Sequence, residues 1–286
     1  MAEKMREWGE DSIYWRTEYE CEFVESVSNI FNPELLKACL TKGLSFVPAG
    51  KVYPNCVVGV DIGKSVNSTV ISVWSTSKDA ENNTANLIYM EEISPKTGGH
   101  DIPYQRSRIM ACAHDYGADR VIIDATGIGG AIEQEIKLAC ISSTPQIQFI
   151  PFIFTGGPRG SKTQIYRDYV SYVQQGQVRV PHPDGLEPKD AKIVNKWLRE
   201  HMDLQYTMDA ANKTEKIAAP TGKHDDYCDS SAVALHAALS MLPPSASFAS
   251  VSIQQTGTTR RTEPARGLFT TTRRSQKVNK GRLTGL

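Results

Sequence analysis

Three acidic positions stand where a carboxylate is costly. Asp61 ends the apolar run Cys56-Val57-Val58-Gly59-Val60, Asp124 ends Val121-Ile122-Ile123, and His224-Asp225-Asp226-Tyr227-Cys228-Asp229 opens the apolar helix pattern that follows Ser230. A carboxylate at the end of a buried strand loses hydration, and several brought together repel one another. Bound divalent cations are the usual compensation, and hard ions such as Mg2+ prefer oxygen donors. This chemistry points to phosphate esters. Two divalent ions about 3.5–4 Å apart activate a water and stabilise the leaving oxygen of an in-line displacement.

Within that scheme Asp61 is the candidate bridge between two ions, Mg2+ or Mn2+, and Asp124 holds one of them. Asp226 and Asp229 are three residues apart, on one face of a first helical turn. Asp61, Asp124 and Asp226 are the catalytic candidates, and all four are candidate metal ligands. Asp225 points about 100° away from Asp226 and reads as a helix cap or an outer group. His224 could orient a water, stabilise a leaving group or cap the helix. Lys64 and Lys162 could neutralise phosphate charge. Plainer readings exist: Asp124 before Ala125-Thr126 as a turn residue, and Asp61 before Ile62-Gly63 as an acceptor of turn hydrogen bonds.

The elements that must position these groups are legible in outline. Strands are expected at Val57–Ile62, Thr69–Trp74 and Asn86–Ile93, and the short turn after the first suggests an antiparallel meander. Helical spacing follows over 102–116, then a buried strand 120–124, a helix 131–140, a strand 148–154, a helix 161–174 and a short strand 177–180. A long helix spans 188–201, a polar hairpin covers 204–219, and the acidic helix runs to Met241, before Pro243-Pro244. Asn32-Pro33 signals a helix start, while residues 14–23 fit a strand or an exposed arm. The fold class is therefore α/β: a three-strand antiparallel meander, then parallel strands, in one mixed sheet flanked by helices, an order expected of a ribonuclease H-like sheet. Strands one and four would lie side by side, bringing Asp61 near Asp124. Three regions are expected: a linker or remnant of a preceding domain at 1–48, the α/β domain at 49–242, and a basic, disordered tail at 243–286.

The 286 residues carry no formal net charge, so the distribution of charge is more telling than its sum. After Met241 stand Arg260, Arg261, Arg266, Arg273, Arg274, Lys277, Lys280 and Arg282, with Glu263 as the only acid. Arg260, Arg261, Arg273 and Arg274 are candidate nucleic-acid contacts. The six cysteines have no paired spacing, which suits reduced core residues in a cytoplasmic protein. No stretch approaches the ~20 apolar residues of a membrane span. A G-x-x-x-x-G-K-[ST] phosphate loop is missing from the sequence, as are the usual serine and cysteine nucleophile motifs.

Taken in order, Val57-Val58-Gly59-Val60-Asp61, Val121-Ile122-Ile123-Asp124-Ala125-Thr126-Gly127 and Lys223-His224-Asp225-Asp226-Tyr227-Cys228-Asp229 resemble the C-terminal nuclease domain of tailed-phage large terminase subunits. The segments from Ser161 to Gly176 and Val178 to Pro181 look like that domain's helix-turn-strand, and the likeness covers roughly 14–241. It implies a ribonuclease H-like endonuclease that cuts double-stranded concatemeric viral DNA during packaging, in the host cytoplasm. It also implies an ATPase motor half, a small terminase subunit and a capsid portal as partners. The acidic site is similar to that of Holliday-junction resolvases. In such nucleases the first hairpin often carries a further acid after its turn; here Asn67 and Ser68 stand there, which bears on the number of ions held. Two rivals remain: an actin-like or sugar-kinase phosphotransferase, suggested by Asp61-Ile62-Gly63 and Asp124-Ala125-Thr126-Gly127, and a non-catalytic module that docks on DNA or a portal.

Overall fold

The structure is a computed structural model. It describes residues 27–53, 55–63, 67–78, 83–97, 101–126, 128, 130–156, 161–209 and 214–240. The proposed arm at 14–23, Lys64, and the tail with Arg260, Arg261, Arg273 and Arg274 lie outside these residues.

Seven strands form the main sheet: β2 (Leu40–Thr41), β3 (Cys56–Asp61), β4 (Thr69–Lys78), β5 (Asn83–Ile93), β6 (Arg120–Asp124), β7 (Gln148–Phe152) and β8 (Val178–Pro181). Their order is β2-β8-β5-β4-β3-β6-β7. The β3-β4-β5 meander is antiparallel; β6 runs parallel to β3, β7 to β6, and β8 to β5. This is the expected ribonuclease H-like mixed sheet. The second and third strands are longer than expected, because Ser75–Lys78 and Asn83–Ala85, mostly polar, continue the ladder. Backbone pairing does not require apolar side chains, so hydrophobic pattern alone under-reads such ends.

Helices cover both faces: α1 (Pro33–Ala38), α2 (Ile102–Asp115), α3 (Gly130–Ile141), α4 (Ser161–Gln174), α5 (Pro188–Asp203) and α6 (Asp226–Leu235), the last continued by a π-helical turn, His236–Ser240. Strand alternation explains the division. On β3, Val58 and Val60 join a core with Ile109 of α2 and Ile136 of α3. Val57 faces the opposite core, with Tyr166, Trp197, Tyr227 and Ala234 from α4, α5 and α6. Gly59 and Asp61 share the Val57 face by the same period of two. On β6, Ile122 belongs to that core too, so Asp124 faces α6 as well.

The segment expected as a linker contributes to this unit from Val27 onward. Strand β1 (Val27–Asn29) pairs with β9 (Gln205–Asp209), which pairs with β10 (Thr214–Ala218), making a small second sheet. Ile30, Phe31, Leu36 and Cys39 are buried in the main core, and β2 pairs with β8 at the sheet edge. The Asn32 cap is as anticipated: its side chain accepts from the Glu34 N–H at 2.8 Å, with Pro33 in the first turn. Cys39, Cys56, Cys112, Cys140 and Cys228 are free and buried. Among the described residues no helix is long and apolar enough to cross a membrane.

Candidate functional site

The acidic site lies where the ends of β3 and β6 meet the first turn of α6. Val60 pairs with Ile123 in parallel register, which sets Asp61 and Asp124 side by side at adjacent strand ends. The helix reaches them because Gly59 has no side chain. A Cβ there would run into Ala234 and the Ser230 carbonyl. The close approach is locked by polar bonds: Ser230 Oγ donates to the Gly59 carbonyl at 3.1 Å, and the Ser72 and Ser230 hydroxyls lie 2.8 Å apart. The Asp226 and Asp229 residues are both buried.

Electrostatics reflect this crowding. Burial, then the charges of Asp229, Asp226, Asp124 and Asp225, push the Asp61 carboxyl well above the usual carboxylate range. Asp226 is pushed up to about 6, chiefly by burial, with His224 opposing and Asp225 adding. Asp229 is also pushed up to about 6 by burial, although Lys162 opposes the rise. The nearby cation is Lys162, whose Nζ lies 2.8 Å from Asp229 Oδ2 and 3.4 Å from Asp225 Oδ2. Burial alone would weaken its proton affinity, but the carboxylates of Asp229 and Asp225 prevail and raise it. Tyr166 Oη donates to the other Asp229 oxygen at 2.6 Å, so both Asp229 oxygens are engaged.

Each sequence-named residue can now be placed. Asp61 and Asp124 end adjacent strands, Asp226 and Asp229 open the helix packed across them, and Lys162 bonds Asp229 and Asp225. Asp225 occupies the N-cap position of α6 but makes no side-chain cap bond; its carboxylate turns to Lys162 instead. His224 is exposed, with Nδ1 3.8 Å from Asp226 Oδ2. Asp124 Oδ1 accepts from the Thr126 N–H at 2.8 Å, so the turn role anticipated for it is present alongside its place at the site.

Four residues went unread in the sequence. Glu200 of α5 takes over as the cap of α6, its Oε2 accepting the Tyr227 N–H at 2.9 Å. Glu92 of β5 accepts from Ser68, Lys196 and Tyr227 at 2.6, 2.7 and 3.1 Å. Lys196 and Glu92 line a cavity of about 380 Å³ together with His224 and Asp226. Tyr166 lay inside an ordinary apolar helix pattern. The only available signal was Glu92 itself, a charged residue within the third strand.

The donor chemistry suits a hard divalent ion: several buried oxygens of like charge, with one lysine as local compensation. Among the described residues, no three or more His, Cys, Asp or Glu side chains close on a point that could already hold a metal ion.

The sheet order and its helix-covered acidic edge define a domain of the ribonuclease H-like class. No family model matches the chain. It is 25% identical over 175 residues to the large terminase subunit of Thermus virus P23-45, and likewise to that of Thermus phage G20c. Each match takes in 59% of this chain and 32% of the relative, so the chain spans about a third of the length of the curated relatives it matches. Among solved structures, the large terminase nuclease from thermophilic phage G20c superposes with a TM-score of 0.50 at 22% identity, over 70% of this chain and 95% of that one. The nuclease domain of the large terminase subunit gp2 of bacterial virus Sf6, a mutant solved with manganese, gives 0.50 at 14% identity, over 73% and 99%. In sequence the chain is thus similar to large terminase subunits, and in fold to their nuclease domains.

Proposed function

We propose that this chain is a metal-dependent endonuclease that cleaves double-stranded DNA in viral genome packaging. The observation that carries the reading is the placement of Asp61 and Asp124 at adjacent strand ends against the helix that bears Asp226 and Asp229, a helix held close by the Gly59–Ser230 contact. The relatives bearing terminase names support it. These four carboxylates would hold Mg2+ or Mn2+, and two such ions supply an activated water and charge stabilisation at the leaving oxygen.

The protein's own groups set the stage for that chemistry. Rigid strands fix Asp61 and Asp124, the backbone-bonded first turn of α6 fixes Asp226, and Tyr166 orients Asp229. Lys162 offsets the acidic charge; each Asp229 oxygen keeps a lone pair beyond its bond to Lys162 or Tyr166, so Asp229 could share an ion without losing either partner. The Lys162 ammonium, beside these carboxylates, would be placed to meet phosphate oxygens. His224, exposed beside Asp226, is positioned to order a water. A motor ATPase, a small subunit, a portal and a DNA-contacting role for the basic tail belong to the same proposal. The phosphotransferase reading gives Asp226 and Asp229 no task.

Nicking of supercoiled plasmid by the purified chain tests the assignment. Cleavage should require Mg2+ or Mn2+ and vanish with EDTA. Tight ATP binding without metal-dependent nicking would overturn it in favour of the phosphotransferase.

A further inference from the structure

A basic stripe runs along α5 toward the acidic cavity. At 100° per residue, Lys189, Lys192, Lys196 and Arg199 fall within an arc of about 80° over a length of about 15 Å. Lys189, Lys192 and Arg199 are exposed, and they make no ion pair with another described residue. Lys196 differs: it is half-buried and bonded to Glu92 at 2.7 Å. The one acid further along the stripe, Asp203, is paired with Lys223 at 2.6 Å.

The stripe forms a wall of a groove. Lys189, Lys192 and Lys196 line a cavity of about 330 Å³ with Glu91 and Glu92 opposite. Those two acids are already neutralised, Glu91 by Arg108 at 2.6 and 3.0 Å and Glu92 by Lys196. Asp190 remains as the groove's other acid. Glu92 and Lys196 are shared with the neighbouring cavity that contains Asp226 and His224, and Lys96 also lines that second cavity. Lys196, though paired with Glu92, thus joins the exposed stripe to the cavity at Asp226. An exposed row of unpaired cations is costly in self-repulsion unless an anion lies along it.

The geometry points to α5 as the track for the phosphodiester backbone of one DNA strand flanking the scissile bond. This rests on the nuclease reading. A strand rises about 3.4 Å per nucleotide, so the stripe matches roughly four nucleotides. Lys192 and Arg199 would contact phosphates directly, while Lys196 joins the track to the cavity at Asp226.

The test uses the full chain with EDTA present, so that binding is read without cleavage. Affinity for a short duplex is measured by fluorescence anisotropy across a salt series for wild type, for Lys192→Gln/Arg199→Gln, and for a charge-matched control, Lys78→Gln/Lys137→Gln. Loss of two phosphate contacts should lower the slope of log affinity against log salt by about 1.8, at about 0.9 per contact. The control should keep the wild-type slope, and melting curves should coincide. A stripe variant with wild-type affinity and slope overturns the track and leaves the stripe to a protein partner; wild type that binds no duplex overturns it too. A stripe-dependent slope without any metal-dependent nicking would support the track and sink the nuclease reading alone.

Discussion

Ser230 Oγ donates to the Gly59 carbonyl oxygen at 3.1 Å, tying the first turns of α6 to strand β3. Asp61 lies two residues beyond one partner, and Asp229 directly precedes the other. The spacing of strand and helix thus fixes the spacing of the carboxylates. Gly59→Ala would place a methyl group against Ala234 and the Ser230 carbonyl. Overpacking of this kind costs about 1–3 kcal/mol. We expect a lower urea midpoint together with weaker Mn2+ binding by calorimetry. Wild-type stability would show that the helix can shift, and the contact would then not control the site.

Asp61→Asn keeps the side-chain shape and removes the charge that burial and four neighbouring carboxylates already disfavour. Without added metal the variant should melt above wild type, because like-charge repulsion is relieved. Plasmid nicking should fall to the EDTA level. Near-normal Mn2+-dependent cleavage would remove Asp61 from the centre of the site.

Much of this arrangement was legible because it follows from local rules. The runs ending in Asp61 and Asp124 are buried strands, and adjacent parallel strands put their ends together. Asp226 and Asp229 share a helical face by spacing alone. What escaped depends on contacts between distant segments. Asp225 reads as a cap, yet a glutamate from α5, Glu200, bonds the helix end and frees Asp225 for Lys162. Tyr166 looks like core until its hydroxyl meets Asp229. The segment from Val27 to Thr41 reads as a linker because it belongs to a stretch too short and too charged for a domain of its own, but β9 and β8 supply the partners that make strands of it. Pairing partners separated by over a hundred residues leave no periodic trace.

The Glu200 cap gives a second route to the site. Its carboxyl is pushed up to about 8, mainly by burial, against the lowering effects of the Tyr227 N–H and Lys196. Glu200→Gln retains an acceptor for that N–H and resembles the protonated acid, whereas Glu200→Ala removes the cap at a cost of about 1–2 kcal/mol. The pH dependence has a definite sign. A carboxyl with a raised folded-state pKa contributes fully below its usual 4.5 and loses that contribution as pH rises toward about 8. Wild type should therefore lose stability relative to Glu200→Gln between about pH 4.5 and 8, read by urea melts at each pH. A constant difference would mean that Glu200 stays ionised in the folded chain.

His201 predicts the opposite slope in a neighbouring window. Its ring is fully buried between Trp197 and Phe31. The Trp197 carbonyl, 2.7 Å from Nδ1, can only accept, so Nδ1 carries the proton. Nε2 then accepts from the Tyr169 hydroxyl at 2.8 Å. A second proton on Nε2 would force the Tyr169 hydroxyl to turn its own proton away, and burial lowers the pKa from 6.5 to about 3. The unfolded chain takes up that proton near pH 6.5 while the folded chain refuses it. The contribution is therefore present above pH 6.5 and is lost as pH falls toward about 3, by about 1.4 kcal/mol per pH unit. His201→Gln, which cannot titrate, removes this term whatever its own cost in packing. Stability of wild type minus variant, followed from pH 7 to pH 4, should thus decline with acid. A difference that does not change with pH would place the His201 proton equilibrium near its usual value and contradict the sealed Tyr169–His201–Trp197 chain.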